Sequence, residues 1–201
     1  MDNKELLERI LTIQGWGNFS TIHKYVFDRI PTNSISVELG VASGRGLATM
    51  AVLAREKSIK VYGVDHFLGT KGESRDFYFN EHDGISKSNV IKMLEGFGIK
   101  ENEYNIIVED TSKSASLFSL AHYVFLDADH SYNGVCSDID SWWPKIPIGG
   151  FIGGHDWPFN TVQRAVKEKF DNYQIFDDCW LVKKAKNDTS KNNIHRKSKT
   201  F

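Results

Sequence analysis

Two strings in the C-terminal half hold the residue types that do chemistry. LDADHSYNGVCSDIDSWW contains Asp127 and His130, and GGFIGGHDW contains His155 and Asp156. Asp127 and Asp156 come at the ends of apolar runs that read as strands, YVFLD over 123–127 and GFIGG over 150–154. Neighbouring parallel strands lie about 4.8 Å apart, so carboxylates at equivalent strand ends can share one divalent cation. Ligands that are all oxygen select a hard ion such as Mg²⁺. Asp127 and Asp156 are therefore the expected metal ligands, the alternative being that one of them caps a following helix. His130 opens the loop three residues after Asp127. An imidazole with an ordinary pKa of about 6.5 can take the proton from a substrate hydroxyl there, although a loop histidine is often only a surface residue. His155 is read as another ligand or as a group supporting one, whereas His23, His82, His122 and His195 have no such company.

A second constellation precedes it. VELGVASGRGLATM spaces Gly40, Gly44 and Gly46 across a strand-to-helix turn. In parallel α/β sheets ligands bind beyond the carboxyl ends of the strands, where glycines let a ligand approach the N–H groups at a helix N-terminus. A tight structural turn is the plain alternative. Asp65 ends KVYGV, 19 residues after Gly46, and an acid at that place can accept from both hydroxyls of a ribose. That points to an adenosine cofactor. The spacing is not the dinucleotide pattern GxGxxG, and an acid, Glu38, comes before it. Asp110 follows YNIIV and precedes Thr111 and Ser112, where a helix N-cap and a ligand contact are compatible readings.

The elements that must position these residues alternate along the chain. Helices are expected over 3–14 and 20–30, the second stopped by Pro31. Strands are expected over 35–39, 60–64, 104–108, 123–127, 150–154, 173–176 and 179–184. Between them fall helices over 46–56, 85–97, 132–143 and 161–170 and a helical turn over 114–120. Runs this apolar, alternating with amphipathic stretches, predict an α/β fold with a mostly parallel sheet covered by helices on both faces. Only Asp177 and Asp178 separate the last two strands, too few for a crossover, so the sheet must end in an antiparallel hairpin. Trp142 and Trp143, with Val135 and Ile139, read as the packed face of a helix, while Tyr132 and Trp157 are candidates to line an acceptor pocket. The stretch 66–84, rich in aromatics, is long enough for a lid or substrate loop.

Composition bounds the rest. The 201 residues are 40% hydrophobic and 25% charged, ordinary for one globular domain with an appendage and too apolar for a disordered chain. No spanning helix and no apolar signal core is visible, so the expectation is a cytoplasmic protein without a membrane partner. Cys136 and Cys179 have neither paired nor zinc-like spacing. From Lys183 onward seven basic residues face one acid, a net +6, and the first 182 residues carry 18 basic and 25 acidic groups, a net −7. The basic end suits a nucleic acid, but a solvated disordered tail over 187–201 is the expected reading.

The acid-x-Gly-x-x-x-Gly-x-Gly string resembles the first motif of class I S-adenosylmethionine-dependent methyltransferases. The resemblance covers about residues 33–184 and implies a Rossmann-like seven-stranded sheet that ends in the antiparallel hairpin. By that resemblance Glu38, Gly40, Gly44 and Gly46 surround the methionine part of S-adenosyl-L-methionine, Asp65 the ribose, and Asp110 with Thr111 the adenine, while Asp127 borders the cofactor as well. More narrowly, the strings around Asp127 and Asp156 resemble metal-dependent small-molecule O-methyltransferases similar to macrocin O-methyltransferase. This implies Asp127, His130 and Asp156 as ligands and base, with Glu38 a candidate third acid, and Mg²⁺ beside the cofactor. The expected partner is a small-molecule hydroxyl acceptor, a sugar among the candidates, with a homo-oligomer left open. Three parts follow: a helical cap over 1–32, the cofactor-binding domain over 33–186, and the tail. The alternatives are a nucleic-acid methyltransferase or binder, against which the absence of a proline after Asp127 and the acidic body argue, and a non-methylating adenosine-cofactor protein, hydroxylase-related or NAD-binding.

Overall fold

Apolar residues on alternating sides of each strand require cover on both faces of the sheet, and the computed structural model, which describes residues 2–69 and 85–186, supplies it. The strands are β1 (Ile35–Leu39), β2 (Lys60–Val64), β3 (Asn105–Ile107), β4 (Tyr123–Leu126), β5 (Phe151–Gly154), β6 (Gln174–Phe176) and β7 (Cys179–Lys183). They form one sheet in the order β3-β2-β1-β4-β5-β7-β6. The first five are parallel, whereas β7 runs antiparallel to both β5 and β6. Asp177, at φ 50°, turns the final hairpin, as its two-residue spacing demands.

Seven α-helices are described: α1 (Asn3–Ile10), α2 (Ser20–Phe27), α3 (Arg45–Ala54), α4 (Lys87–Gly96), α5 (Thr111–Ser114), α6 (Tyr132–Trp142) and α7 (Asn160–Lys169). One face of the sheet offers Val61, Tyr123, Phe125 and Phe151 to Leu6 and Ile10 of α1, Ile22 and Val26 of α2, Leu47 and Met50 of α3, and Leu94 of α4. The other face offers Val37, Leu39, Val124 and Ile152 to Val135, Ile139 and Trp142 of α6 and Val162 and Val166 of α7. The N-terminal helices thus share a core with the sheet. Trp142 and Trp143 are both buried in the core on the other face. Among the described residues no helix is long and apolar enough to cross a membrane, and both cysteines are free.

Several boundaries differ from the sequence expectation, among them the second helix, which ends at Phe27 three residues short of Ile30, and two of the differences have a clear cause. The first helix stops at Ile10, because the carbonyls of Leu11, Ile13 and Gly17 are taken by the Arg45 guanidinium instead of by helical N–H groups. Residues 11–19 therefore cross the top of the sheet as a strap. The turn after β3 begins at Thr111, earlier than expected, because the Asp110 carboxylate accepts from the N–H groups of Ser112 and Lys113, both at 3.1 Å. Residues 70–84 and 187–201 lie outside the described residues, and with them most of the expected lid and all of the expected tail.

Candidate active site

Strand register decides which residues meet at the carboxyl ends. Leu126 of β4 pairs with Gly154 of β5, and the ladder continues one step, His155 donating its backbone N–H to Leu126 O at 3.0 Å. The residue beside Asp127 is therefore His155, whereas the sequence places Asp127 and Asp156 at equivalent strand ends. Side chains alternate along a strand, so the next residue would point away. Asp156 instead takes φ 60°, a left-handed conformation, and its carboxylate returns to the same side. His155 Nδ1 lies 3.2 Å from Asp127 Oδ1 and 3.1 Å from Asp156 Oδ1. These three side chains each present one donor atom, all within 4.8 Å of one another. Glu38 does not join that group. His130 Nδ1 stands 3.9 Å from Asp156 Oδ2, at the edge, with two fifths of its side chain exposed.

The charges are tightly balanced. Burial alone lowers the pKa of His155, but its hydrogen bonds to Asp127 and Asp156 and their negative charge outweigh that and raise it to about 10. Burial raises the pKa of Asp127 against the pull of His155. Glu38, in β1, is buried and its Oε2 has no hydrogen-bond partner. Burial first, then the charges of Asp127 and Asp65, push its pKa well above the usual carboxylate range. A Cβ at position 46 would collide with Glu38 Oε1, and one at position 40 with the Asp127 carbonyl, where φ is also 89°. Both glycines are thus sterically required, while Gly44 packs toward Val90 and Met93 and lines neither of the cavities described next.

Two cavities adjoin here. One of about 400 Å³ is bounded by Gly40, Asp65, Asp110, Thr111 and Asp138. The other, of about 380 Å³, is bounded by Glu38, Gly46, His130, His155 and Asp156, with Trp16 and Phe159 at its rim. Asp127, Ala42, Ala128 and Ile85 line both. Asp65 is more occupied than a pure ribose ligand would be. Its Oδ2 accepts from the N–H groups of Val41 at 2.8 Å and Ala42 at 2.9 Å, and its Oδ1 from that of Phe67 at 2.7 Å. A carboxylate offers about four acceptor positions, so Asp65 both holds the glycine-rich turn and keeps capacity for one further donor. Asp110 caps α5, and the hydroxyl and N–H of Ser112 and the N–H of Lys113 keep its pKa low.

The sequence reading missed several lining residues. Asp138 is 3% exposed and accepts from Thr111 Oγ1 at 2.7 Å. Burial, opposed by that bond and helped by Asp110 and Asp129, raises its pKa to about 7. The signal was present, since Asp138 falls on the apolar stripe of Val135, Ile139 and Trp142. Trp16 and Phe19 come from the strap and carry no local signal. Tyr132 and Trp157, expected at the acceptor pocket, line neither cavity. Tyr132 bonds Glu168 beneath the Arg164 guanidinium, and Trp157 packs on Tyr173.

Comparison with known proteins gives a family and a fold. The family described as "Methyltransferase domain" matches residues 37–157, which contain both glycine-rich turn and acidic cluster. Among solved structures, the O-methyltransferase NovP superposes with a TM-score of 0.67 at 16% identity, covering 83% of this chain and 79% of that one. The calicheamicin methyltransferase CalS11 gives 0.62 at 12% identity, covering 90% and 91%. MycE, from the mycinamycin pathway and solved with Mg and S-adenosylhomocysteine, gives 0.60 at 17% identity, covering 94% of this chain but 56% of MycE. At these identities the likeness is one of fold. No curated protein matches the chain.

Proposed function

The chain belongs to the methyltransferase-domain family that matches it over residues 37–157, and from that premise we propose that it moves a methyl group from S-adenosylmethionine to a hydroxyl of a small molecule. The observation that carries this reading is the pair of adjoining cavities with Asp127 at their seam. Transfer between two bound molecules needs a donor chamber and an acceptor chamber that meet at one point. The cavity of Gly40, Asp65 and Asp110 suits the adenosine end of the donor. The cavity of His130 and Asp156 suits the acceptor. Solved methyltransferases with this fold that hold S-adenosylhomocysteine support the cofactor.

In the reaction the acceptor oxygen forms its bond to the methyl carbon as the carbon–sulfur bond breaks, and the electron pair leaves with sulfur. Alignment supplies most of the rate, up to about 7 to 11 kcal/mol in favourable cases. His130, at the mouth of the acceptor cavity, takes the hydroxyl proton on a ring nitrogen. Asp127 and Asp156 bring carboxylates to the seam, which favour a sulfonium over its neutral thioether product. A divalent cation suits the donor atoms of Asp127, His155 and Asp156 and would, when bound, acidify and anchor the acceptor hydroxyl. A small acceptor fits better than a nucleic acid. Of the described residues lining the acceptor cavity only Arg45 is a permanent cation, and its guanidinium is spent on strap carbonyls.

The test is ligand-dependent melting followed by turnover. S-adenosylhomocysteine should raise Tm where NAD does not. Label from methyl-labelled S-adenosylmethionine should then pass to hydroxylated acceptors, glycosides among them, and not to RNA. A shift with NAD alone would overturn the cofactor, and label in RNA the acceptor.

A further inference from the structure

The acidic strand ends alone suggest an all-oxygen cation site, but the tertiary arrangement puts a nitrogen in its middle. His155 Nδ1 lies 3.2 Å from Asp127 Oδ1 and 3.1 Å from Asp156 Oδ1. Adjacent donors of an octahedral ion with bonds of about 2.1 Å are spaced about 3.0 Å apart, so the two spacings already match a coordination shell. A single N–H at Nδ1 is shared between two carboxylates, whereas a cation satisfies all three atoms at once. The imidazole is also held in place, for the Phe19 ring meets it edge-on with centroids 5.0 Å apart. A second observation points to a ligand in the same cavity: Glu38 lines it, is 1% exposed, and its Oε2 has no hydrogen-bond partner. A buried carboxyl oxygen without a partner is costly, and cation-bound water is the kind of partner that would complete it.

We propose that Asp127, His155 and Asp156 form a mixed nitrogen–oxygen site that selects a transition-metal dication such as Mn²⁺ over Mg²⁺. The inference rests on the methyl-transfer reading only for the use to which the ion is put; the donor set stands on the geometry. Imidazole is a poor ligand for Mg²⁺, which demands oxygen, and a better one for first-row transition dications, Mn²⁺ the weakest of them and so the most stringent comparison with Mg²⁺. The register that sets His155 beside Asp127, and the left-handed backbone that returns Asp156, are what change the metal class. His130 is not part of the donor set, since its Nδ1 lies 3.9 Å from the nearer Asp156 oxygen and outside the group of mutually close atoms.

The experiment uses the full chain stripped with a chelator and titrated with Mn²⁺ by electron paramagnetic resonance, with Mg²⁺ as competitor. We expect one Mn²⁺ per chain, at least about tenfold tighter than Mg²⁺, and pulsed resonance spectra showing coupling to one imidazole nitrogen. In His155→Asp, an all-oxygen set, the nitrogen coupling should vanish and the preference for Mn²⁺ over Mg²⁺ should shrink, while His130→Ala should retain both. Should the aspartate variant fail to fold, the wild-type spectrum decides by itself. Absence of nitrogen coupling, Mg²⁺ binding as tight as Mn²⁺, or no bound metal would each overturn the proposal. S-adenosylhomocysteine melting shifts measured on the stripped protein report on the methyl-transfer reading separately. Tight Mn²⁺ with nitrogen coupling and no such shift would leave the site intact and remove that reading.

Discussion

Replacing Asp138 by asparagine should stabilise the protein above neutral pH and less than half as much at pH 5. The side chain is 3% exposed, and burial together with Asp110 and Asp129 lifts its pKa from 3.8 to about 7. A folded state that holds a proton more tightly than the unfolded chain binds more protons between those two values, so stability falls as pH rises through that window. The gap of about 3 units corresponds to about 4 kcal/mol by pH 8, at about 1.4 kcal/mol per unit, and to roughly 1.5 to 2 kcal/mol at pH 5. Asparagine keeps the oxygen that accepts from Thr111 Oγ1, at 2.7 Å in the wild type, but never ionises. In urea unfolding, with a slope of about 2 kcal/mol/M, the variant's midpoint should exceed the wild type's by on the order of 2 M at pH 8, and by less than half of that at pH 5. Midpoint curves that run parallel from pH 5 to pH 8 would refute the reasoning, because they would mean that Asp138 titrates alike in the folded and unfolded chains.

Three further outcomes are expected. Asp65→Ala should reduce the melting shift produced by S-adenosylhomocysteine and lower the ligand-free Tm as well, because the N–H groups of Val41 and Ala42 lose their acceptor; calorimetry with and without ligand checks both. His130→Ala should cut kcat by roughly 10² to 10⁴ and leave S-adenosylhomocysteine affinity unchanged in a titration. Arg45→Ala releases the carbonyls of Leu11, Ile13 and Gly17 and with them the strap that carries Trp16 and Phe19. Acceptor KM should rise about tenfold while cofactor affinity holds, as steady-state kinetics and a binding titration would show.

Much of this protein can be read from the sequence by itself. Hydrophobic runs of four or five residues, alternating with helical periods, are enough for a covered parallel sheet, and two residues between the last strands are enough for the antiparallel hairpin, because both are consequences of local spacing. Gly40, Gly46, Asp65, Asp127, His130 and Asp156 are legible for the same reason, since strand ends and tight turns announce themselves in adjacent residues. The narrower boundaries of α1 and α5 were not legible, because Arg45 and Asp110 redirect backbone groups that local pattern assigns to helices or to turns. Nor could spacing show that His155 rather than Asp156 stands beside Asp127, that Asp138 lines the first cavity, or that Trp16 and Phe19 line the second together with His130 and Asp156, more than a hundred residues further along the chain. Those facts depend on the register between strands and on where the N-terminal strap is tied. A one-residue step in register exchanges the faces of a strand, so the choice of donor atoms at the site belongs to the packed sheet and not to either strand alone.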